Sequence, residues 1–184
     1  QNSHGIKLKS PAHSAGASYT LTFPTTDGNA DEFLKTDGSG VLSWASAGGS
    51  NTPAFAAYRS TTQTISTNTE TKVQFNVEFF DADGKYDNSS NYRLLPGEAG
   101  KYLITGGISF DGTGDGNYVI IYIYVNGSAV LKNINRSPST SDNGVAIAGL
   151  VSLGASDYVE IYCKQNTGAD KQLVGGTSDR TVFF

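Results

Sequence analysis

The residues that could act as nucleophiles and general bases are few in this chain and lie far apart in sequence. The two histidines are His4 and His13, and the single cysteine is Cys163. A Ser-His-Asp or Cys-His arrangement needs an imidazole beside the nucleophile. Both histidines precede the segments expected to fold into a core, and Cys163 has no nearby base. We therefore exclude nucleophilic hydrolysis, and we expect Cys163 to be a buried thiol without an intrachain disulfide partner.

Paired carboxylates are the other chemistry that the sequence offers, since a glycosidase uses two of them as acid and base or nucleophile. Most of the candidates stand beside Gly or Asn in turns, where Asp is explained by hydrogen bonds to its own backbone. We therefore predict no catalytic residue and no enzyme, with a polysaccharide depolymerase as an alternative. The candidates are Glu78, Asp81, Asp83, Asp87, Glu98, Asp111 and Asp115.

One glycine-rich segment, Asp111-Gly-Thr-Gly-Asp115, spaces its oxygen ligands as calcium loops do. It lacks the Asp-x-Asp-x-Asp series and the distal Glu of an EF-hand. A solvated loop is the simpler interpretation, so no metal and no cofactor is predicted.

Composition favours an all-β, turn-rich protein. Among 184 residues there are 22 glycines and no methionine, and only 16% are charged, below the usual share of about 25%. The net charge is −4 without a Lys/Arg cluster, which argues against nucleic-acid binding. No apolar run approaches the roughly 20 residues of a membrane span, so no membrane insertion is predicted.

The first 47 residues contain three short alternating runs separated by Asp-Gly turns: Ile6–Lys9, Tyr19–Phe23 and Val41–Trp44. Each is too short to close a core, so intertwined identical chains are expected to bury their apolar residues. This predicts a trimeric fibre stalk over 1–47, with a flexible linker as the alternative. The pattern Tyr-Thr-Leu-x-Phe-Pro, then Leu-x-Thr-Asp-Gly-x-Gly-x-Leu-x-Trp, resembles a segment that precedes the C-terminal head of bacteriophage tail fibres.

Residues 48–53 are small and flexible and are predicted to be a linker. About ten short strands without a helical period follow over 54–184, as a two-sheet jelly roll requires. Two of these segments, Tyr92–Leu95 and Lys101–Phe110, flank a Pro-Gly cluster and predict a hairpin.

That hairpin carries a second resemblance. A Tyr-Asp at Tyr86, then Pro-x-x-x-Gly-x-Tyr from Pro96 into an alternating strand, resembles the central signature of the globular C1q-like domain. The resemblance implies a ten-stranded jelly roll of the tumour-necrosis-factor architecture, assembled as a homotrimer. Two extra residues before Asp157 depart from the family pattern. Some C1q-like domains bind calcium, so the resemblance leaves a bound calcium ion as an alternative, without implying which residues would be its ligands.

The apolar segments suggest how subunits would meet. The strand Tyr118–Val125 is apolar on both faces, and exposed tyrosines are typical of interfaces. Small residues in Gly144–Leu153 would permit close approach of subunits. We predict trimer contacts at Tyr118, Tyr122, Tyr124, Ala148, Leu150 and, in the stalk, Trp44, with a carbohydrate-stacking platform as the alternative for the tyrosines.

Long polar loops on a rigid β scaffold are the expected place for ligand binding. Following the C1q-like strand path, the loops at the free tip are Ser60–Asn68, Pro96–Gly100, Lys132–Asn143 and Asn166–Asp179. The predicted ligand-binding residues are Arg136, Ser139, Asp142, Asn143, Asp170, Lys171 and Gln172.

These patterns together predict the C-terminal receptor-binding tip of a phage tail fibre. Such a protein would be extracellular on the virion, bound to other tail proteins and to a host-surface glycan or protein. The alternative is a structural trimerisation cap or virion decoration domain without a receptor.

Overall fold

The computed structural model describes residues 9, 11–46, 53–114, 116–137, 142–176 and 184. The chain divides into two compact units, which we call unit 1 (Gln1–Ser50) and unit 2 (Asn51–Phe184). Apart from one 3-10 helix at His13–Ala15, every regular element described is a strand. The predicted stalk, linker and head boundaries stay a prediction, since 47–52 lie outside the described residues.

The strands are β1 Glu32–Thr36, β2 Leu42–Ser46, β3 Phe55–Tyr58, β4 Gln63–Ile65, β5 Thr71–Lys72, β6 Val77–Asp81, β7 Tyr86–Asp87, β8 Arg93–Leu94, β9 Gly100–Phe110, β10 Tyr118–Val125, β11 Ser128–Arg136, β12 Asn143–Leu153, β13 Val159–Gln165 and β14 Lys171–Leu173.

Unit 1 contains one antiparallel hairpin, β1 with β2, closed by a turn at Asp37. The Asp37 carboxylate accepts the backbone N–H groups of Ser39 and Val41, at 2.7 and 3.1 Å, which fixes the Asp-Gly turn. Of the run predicted as a strand at Tyr19–Phe23, only Thr22 makes a bridge, to Val41. That strand prediction was wrong, whereas most of Ile6–Lys9 lies outside the described residues.

None of the described residues of unit 1 is buried. Six large apolar side chains are 40% or more exposed within the single chain. A hairpin alone cannot remove such side chains from water, because two strands have too few neighbours to form a core. The exposed residues are Tyr19, Leu21, Phe23, Phe33, Leu34 and Val41.

Unit 2 is a sandwich of two main antiparallel sheets. Sheet I has the order β11-β10-β13-β8-β7, with β5 also paired to β13, and sheet II has the order β12-β9-β14-β4. Strands β3 and β6 form a further pair. From β8 onward the chain crosses to the other sheet at every connection except the β10–β11 hairpin, as in a jelly roll. The predicted all-β, two-sheet architecture is therefore confirmed.

The core lies between the two sheets and follows the alternation of the strands. On β10, Val119, Ile121 and Ile123 are fully buried, as is Ile161 on β13. A Cβ built on Gly106 of β9 would lie 3.2 Å from Ile161 Cδ1, so glycine lets the sheets pack closely here. The alternating pattern thus decides which face of each strand enters the core.

Three strand predictions need correction. The segments around Pro96 do not pair as a hairpin, because β8 pairs with β7 and β13 in sheet I while β9 pairs with β12 and β14 in sheet II. The chain crosses between the sheets there. Lys132–Arg136 is part of β11, and Lys171–Leu173 is β14, although both were predicted as loops.

Candidate binding surfaces

Four connections meet at one end of the unit 2 sandwich, which we call the loop end. They are 66–70, 111–117, 137–142 and 166–170, and 115 and 138–141 lie outside the described residues. Register places them together: Asn143 pairs with Phe110, and Leu173 pairs with Phe110 from the other side. The loop end is therefore built by both sheets.

The opposite end of the sandwich, which we call the Pro53 end, contains the predicted tip loop Pro96–Gly100. Gly100 pairs with Leu153 at the far ends of β9 and β12. Pro53 lines an open cavity there of about 360 Å³ together with Asp83, Lys85 and Pro96. The placement of Pro96–Gly100 at the same tip as the other loops was wrong, because β8 and β9 belong to different sheets.

Two predicted ligand residues meet at a loop that the sequence did not assign to the tip. Asp142 Oδ1 accepts the backbone N–H of Gly112 at 3.3 Å, and Lys171 Nζ donates to the carbonyl of Gly112 at 2.5 Å. Asn117 Nδ2 donates to the Thr113 carbonyl at 2.7 Å, which folds the loop on itself. Gly112, Gly114 and Gly116 have positive φ. Glycine at every second position is the sequence pattern that indicates this tight loop.

Polar contacts hold loops 66–70 and 166–170 together, and one of them is buried. Gln165 is fully buried, and its Nε2 donates to the carbonyls of Ile65 at 3.0 Å and Ala169 at 2.9 Å. Thr67 Oγ1 accepts the backbone N–H of Gly168 at 3.0 Å. Satisfied buried polar groups fix geometry, so loops 66–70 and 166–170 form one rigid surface.

The remaining predicted ligand residues differ in their access to solvent. Arg136 is exposed at the end of β11, with its guanidinium 5.7 Å from the Tyr118 ring centroid. Asn143 is only 3% exposed and accepts Asn135 Nδ2 at 2.8 Å, so it has little surface for a ligand. Asp170 and Gln172 are exposed. Ser139 lies outside the described residues.

The outward face of sheet II is apolar where β9 and β12 pair. Leu150 pairs directly with Leu103, and these side chains are 75% and 67% exposed. Ala148 is also exposed, next to Thr105 on β9. Leu103 was missed in the sequence, because its segment was interpreted as scaffold, yet its alternation with buried Ile104 was visible there.

The predicted tyrosines lie on the outward face of sheet I and are largely covered by their own chain. Tyr122 is only 6% exposed, while Tyr124 stacks on Tyr162 with ring centroids 4.1 Å apart and donates a hydrogen bond to Glu70. Burial and the nearby Glu70 carboxylate raise the pKa of Tyr122 to about 12. Tyr118 is half-buried. Tyr122 therefore leaves little area for another subunit.

Comparison with known proteins gives limited similarity. No family model matches the chain. It is 30% identical over 122 residues to the uncharacterised protein YqcC of Bacillus subtilis (strain 168), covering 62% of this chain and 32% of that protein. The chain thus spans about a third of that relative's length. The fold of unit 2 is therefore assigned from its observed strand pairing and not from this relative.

Two solved structures are similar in shape. The globular domain of zebrafish complement 1qA protein matches with a TM-score of 0.49 and 17% identity, over 66% of this chain and 92% of that one. The Eiger TNF of S. frugiperda matches with a TM-score of 0.46 and 14% identity, over 70% and 88% of the two chains.

Trp44, the predicted contact in unit 1, is half-buried within its own chain. Its Nε1 donates to the Thr26 carbonyl at 2.9 Å. A Cβ on Gly28 would lie 2.6 Å from the indole Cδ2, so glycine is needed beneath the ring. The indole is held locally and keeps part of its surface exposed.

Two of the carboxylates considered for catalysis, Asp81 and Asp87, have local hydrogen-bond partners. Asp87 accepts the backbone N–H groups of Ser90, Ser89 and Asn91, which hold its pKa below the usual range. Asp81 Oδ2 accepts the backbone N–H of Tyr86 at 2.8 Å. These bonds explain the two residues as turn formers.

Burial raises the pKa of the Cys163 thiol, which is fully enclosed in the core. Within the described ranges, no three His, Cys, Asp or Glu residues are grouped so that they could hold a metal. The described part of the chain also contains no helix long and apolar enough to cross a membrane.

Proposed function

We propose that the chain is the receptor-binding tip of a bacteriophage tail fibre, in which unit 2 is a C1q-like jelly-roll head of a homotrimer. The observation that carries the proposal is the loop end, where four polar connections lie on a rigid base opposite Pro53. A surface far from the residues that join unit 2 to the preceding chain is the expected place to meet a host ligand. The protein would be on the virion, outside the host cell.

The exposed Leu103 and Leu150 support assembly into a trimer. Exposed leucines that neighbour each other on a flat sheet are typical of a surface covered in the assembled protein. Trimerisation through sheet II would leave both the loop end and the outward face of sheet I exposed. Unit 1 supports the same assembly, because none of its described apolar side chains is buried within one chain.

Binding of the fluorescently labelled chain to bacterial cells tests the proposal, on a panel that begins with Bacillus subtilis strain 168. We expect saturable binding that the double variant Asp142→Ala/Asp170→Ala weakens about tenfold, since a few central residues carry most of the binding free energy. The matched control is Asp83→Ala/Glu98→Ala, which removes the same charge at the Pro53 end. Equal binding by the chain and both variants would contradict the assignment to the loop end.

A structural trimerisation cap is the second candidate, favoured by the same pair of leucines. It predicts an intact trimer that shows no saturable binding to any strain of the panel. The cell-binding assay and a mass measurement on one sample therefore separate the two functions.

A further inference from the structure

The outward face of sheet I combines tyrosines with positively charged side chains. Across the sheet, Tyr122 lies between Lys132 on β11 and Tyr162 on β13. One pair further toward the loop end, Ile120 lies between Ile134 and Lys164. We call this surface the tyrosine face; it comprises the outward residues Tyr118, Ile120, Tyr122, Tyr124, Lys132, Ile134, Arg136, Glu160, Tyr162 and Lys164.

The carboxylates near this face already have partners. Glu160 is 4% exposed and forms an ion pair with Lys72, with Nζ and Oε1 2.6 Å apart. Glu70 accepts the hydroxyl of Tyr124. The charge of Glu160 is thus compensated by Lys72, whereas Glu70 keeps its negative charge at the edge of the face, beside Tyr124.

Three cations of the face are left without such a partner. Lys132, Lys164 and Arg136 form no ion pair with any carboxylate that the structure describes. The chain as a whole has a net charge of −4, so this local excess of positive charge is not a general property of its surface. The tyrosine face therefore attracts anions that the rest of the chain repels.

The spacing of the cations fits a polymer rather than a small ion. Lys132 and Lys164 are two strands and two residues apart, which puts their backbones about 12 Å apart. Arg136 lies four residues from Lys132 on β11, a separation of about 13 Å. One small anion cannot contact three such groups, whereas an extended chain with repeated negative groups can, and gains by multivalency.

The exposed surface between Lys132 and Arg136 is aliphatic, and three tyrosines of the face already have stacking partners. Ile134 is 50% exposed, whereas Tyr124 stacks on Tyr162 and Arg136 lies over Tyr118. Nucleic-acid bases need free aromatic faces for stacking, so the face suits them poorly. Self-association on this face would bring like charges together, which disfavours a second copy of the chain. A sugar ring presents C–H groups to aliphatic surface while its acidic substituents reach the cations.

We propose that the tyrosine face binds an acidic polysaccharide through Lys132, Lys164 and Arg136, with Ile134 beneath the sugar chain. This site is separate from the loop end and does not depend on the proposed receptor function. It would hold the protein on an anionic glycan without a specific receptor being engaged.

Titration of the full chain with polygalacturonate, followed by calorimetry at 50 and 200 mM salt, tests the site. We expect binding that weakens at least about fivefold at the higher salt, because ion contacts are screened. Lys132→Ala/Lys164→Ala is expected to lose about tenfold in affinity. Lys9→Ala/Lys35→Ala is the matched control, since it removes the same charge from exposed positions of unit 1 and should bind normally.

Four results would overturn the proposal. They are no binding of polygalacturonate, equal binding of neutral dextran, equal binding of single-stranded DNA, or equal losses in the two double variants. A change of oligomeric state in Lys132→Ala/Lys164→Ala would instead assign the face to a subunit contact. The loop-end variant Asp142→Ala/Asp170→Ala should keep full polygalacturonate affinity, which separates this site from the proposed receptor site.

Discussion

Truncating the two exposed leucines of sheet II tests the proposed assembly most directly. In the double variant Leu103→Ala/Leu150→Ala, the side chains lost are 67% and 75% exposed in the single chain and pair directly across β9 and β12. Because both are exposed, unit 2 itself should fold as before. Any large effect must then come from contacts between subunits.

The expected magnitude follows from the exposed area. Full burial of a leucine side chain is worth about 1.5–3 kcal/mol, so burying the exposed two thirds to three quarters of each contributes about 1.5 kcal/mol. Truncation to Ala removes roughly two thirds of that, or about 2 kcal/mol per subunit and about 6 kcal/mol per trimer. At about 1.4 kcal/mol per tenfold, the trimer equilibrium constant changes about 10⁴-fold. The midpoint concentration varies as its square root, so it should rise about 100-fold.

Sedimentation equilibrium over a dilution series measures that midpoint. Val130→Ala/Ile134→Ala is the matched control, because these side chains are 47% and 50% exposed on β11, in sheet I. Its midpoint should equal that of the unmodified chain. The reasoning fails if the unmodified chain is monomeric at every concentration, or if the two double variants shift the midpoint equally.

Three further predictions concern stability, measured by denaturant unfolding. Lys72→Met should cost about 2–3 kcal/mol, since it leaves the carboxylate of Glu160 buried without its ion-pair partner, and adding Glu160→Gln should restore most of the loss. Asp87→Asn should cost about 1 kcal/mol at pH 7. Because folding lowers the pKa of Asp87 from its ordinary 3.8, that difference should persist above pH 4 and shrink as the pH falls below it. Gly175→Ala should cost more than about 2 kcal/mol, whereas Gly176→Ala should change little.

Each stability prediction has a result that would count against it. Equal losses in Lys72→Met and in the double variant would show that the ion pair is not the cause. A loss of stability in Asp87→Asn that does not change with pH would show that the charge of the carboxylate is not the cause. For the glycines, a built Cβ at 175 lies 2.0 Å from the Thr61 carbonyl oxygen and none lies within 4 Å at 176, so equal stability of the two variants would refute the clash.

The sequence by itself was sufficient for the all-β fold class and for the presence of the longer strands. The continuous apolar run 118–125 predicted β10, and alternation of larger apolar residues with small ones in 144–153 predicted β12. Both faces of β10 are apolar in sequence, and the structure buries Val119, Ile121 and Ile123 fully. The sequence also has an Asn-Gly pair at Asn126, which is typical of a hairpin turn into β11, although Lys132–Asn143 was interpreted as a loop.

The tertiary structure alone decided which loops share an end and which apolar residues stay exposed. Gln165 bonds to Ile65 across 100 residues of chain, a contact that no local pattern encodes. Pro96–Gly100 joins different sheets, so its end of the sandwich depends on the partners of β8 and β9. Likewise, Tyr122 is covered by its own chain, whereas Leu103 and Leu150 face outward together. Periodicity fixes the faces of a strand, but long-range pairing decides what lies against them.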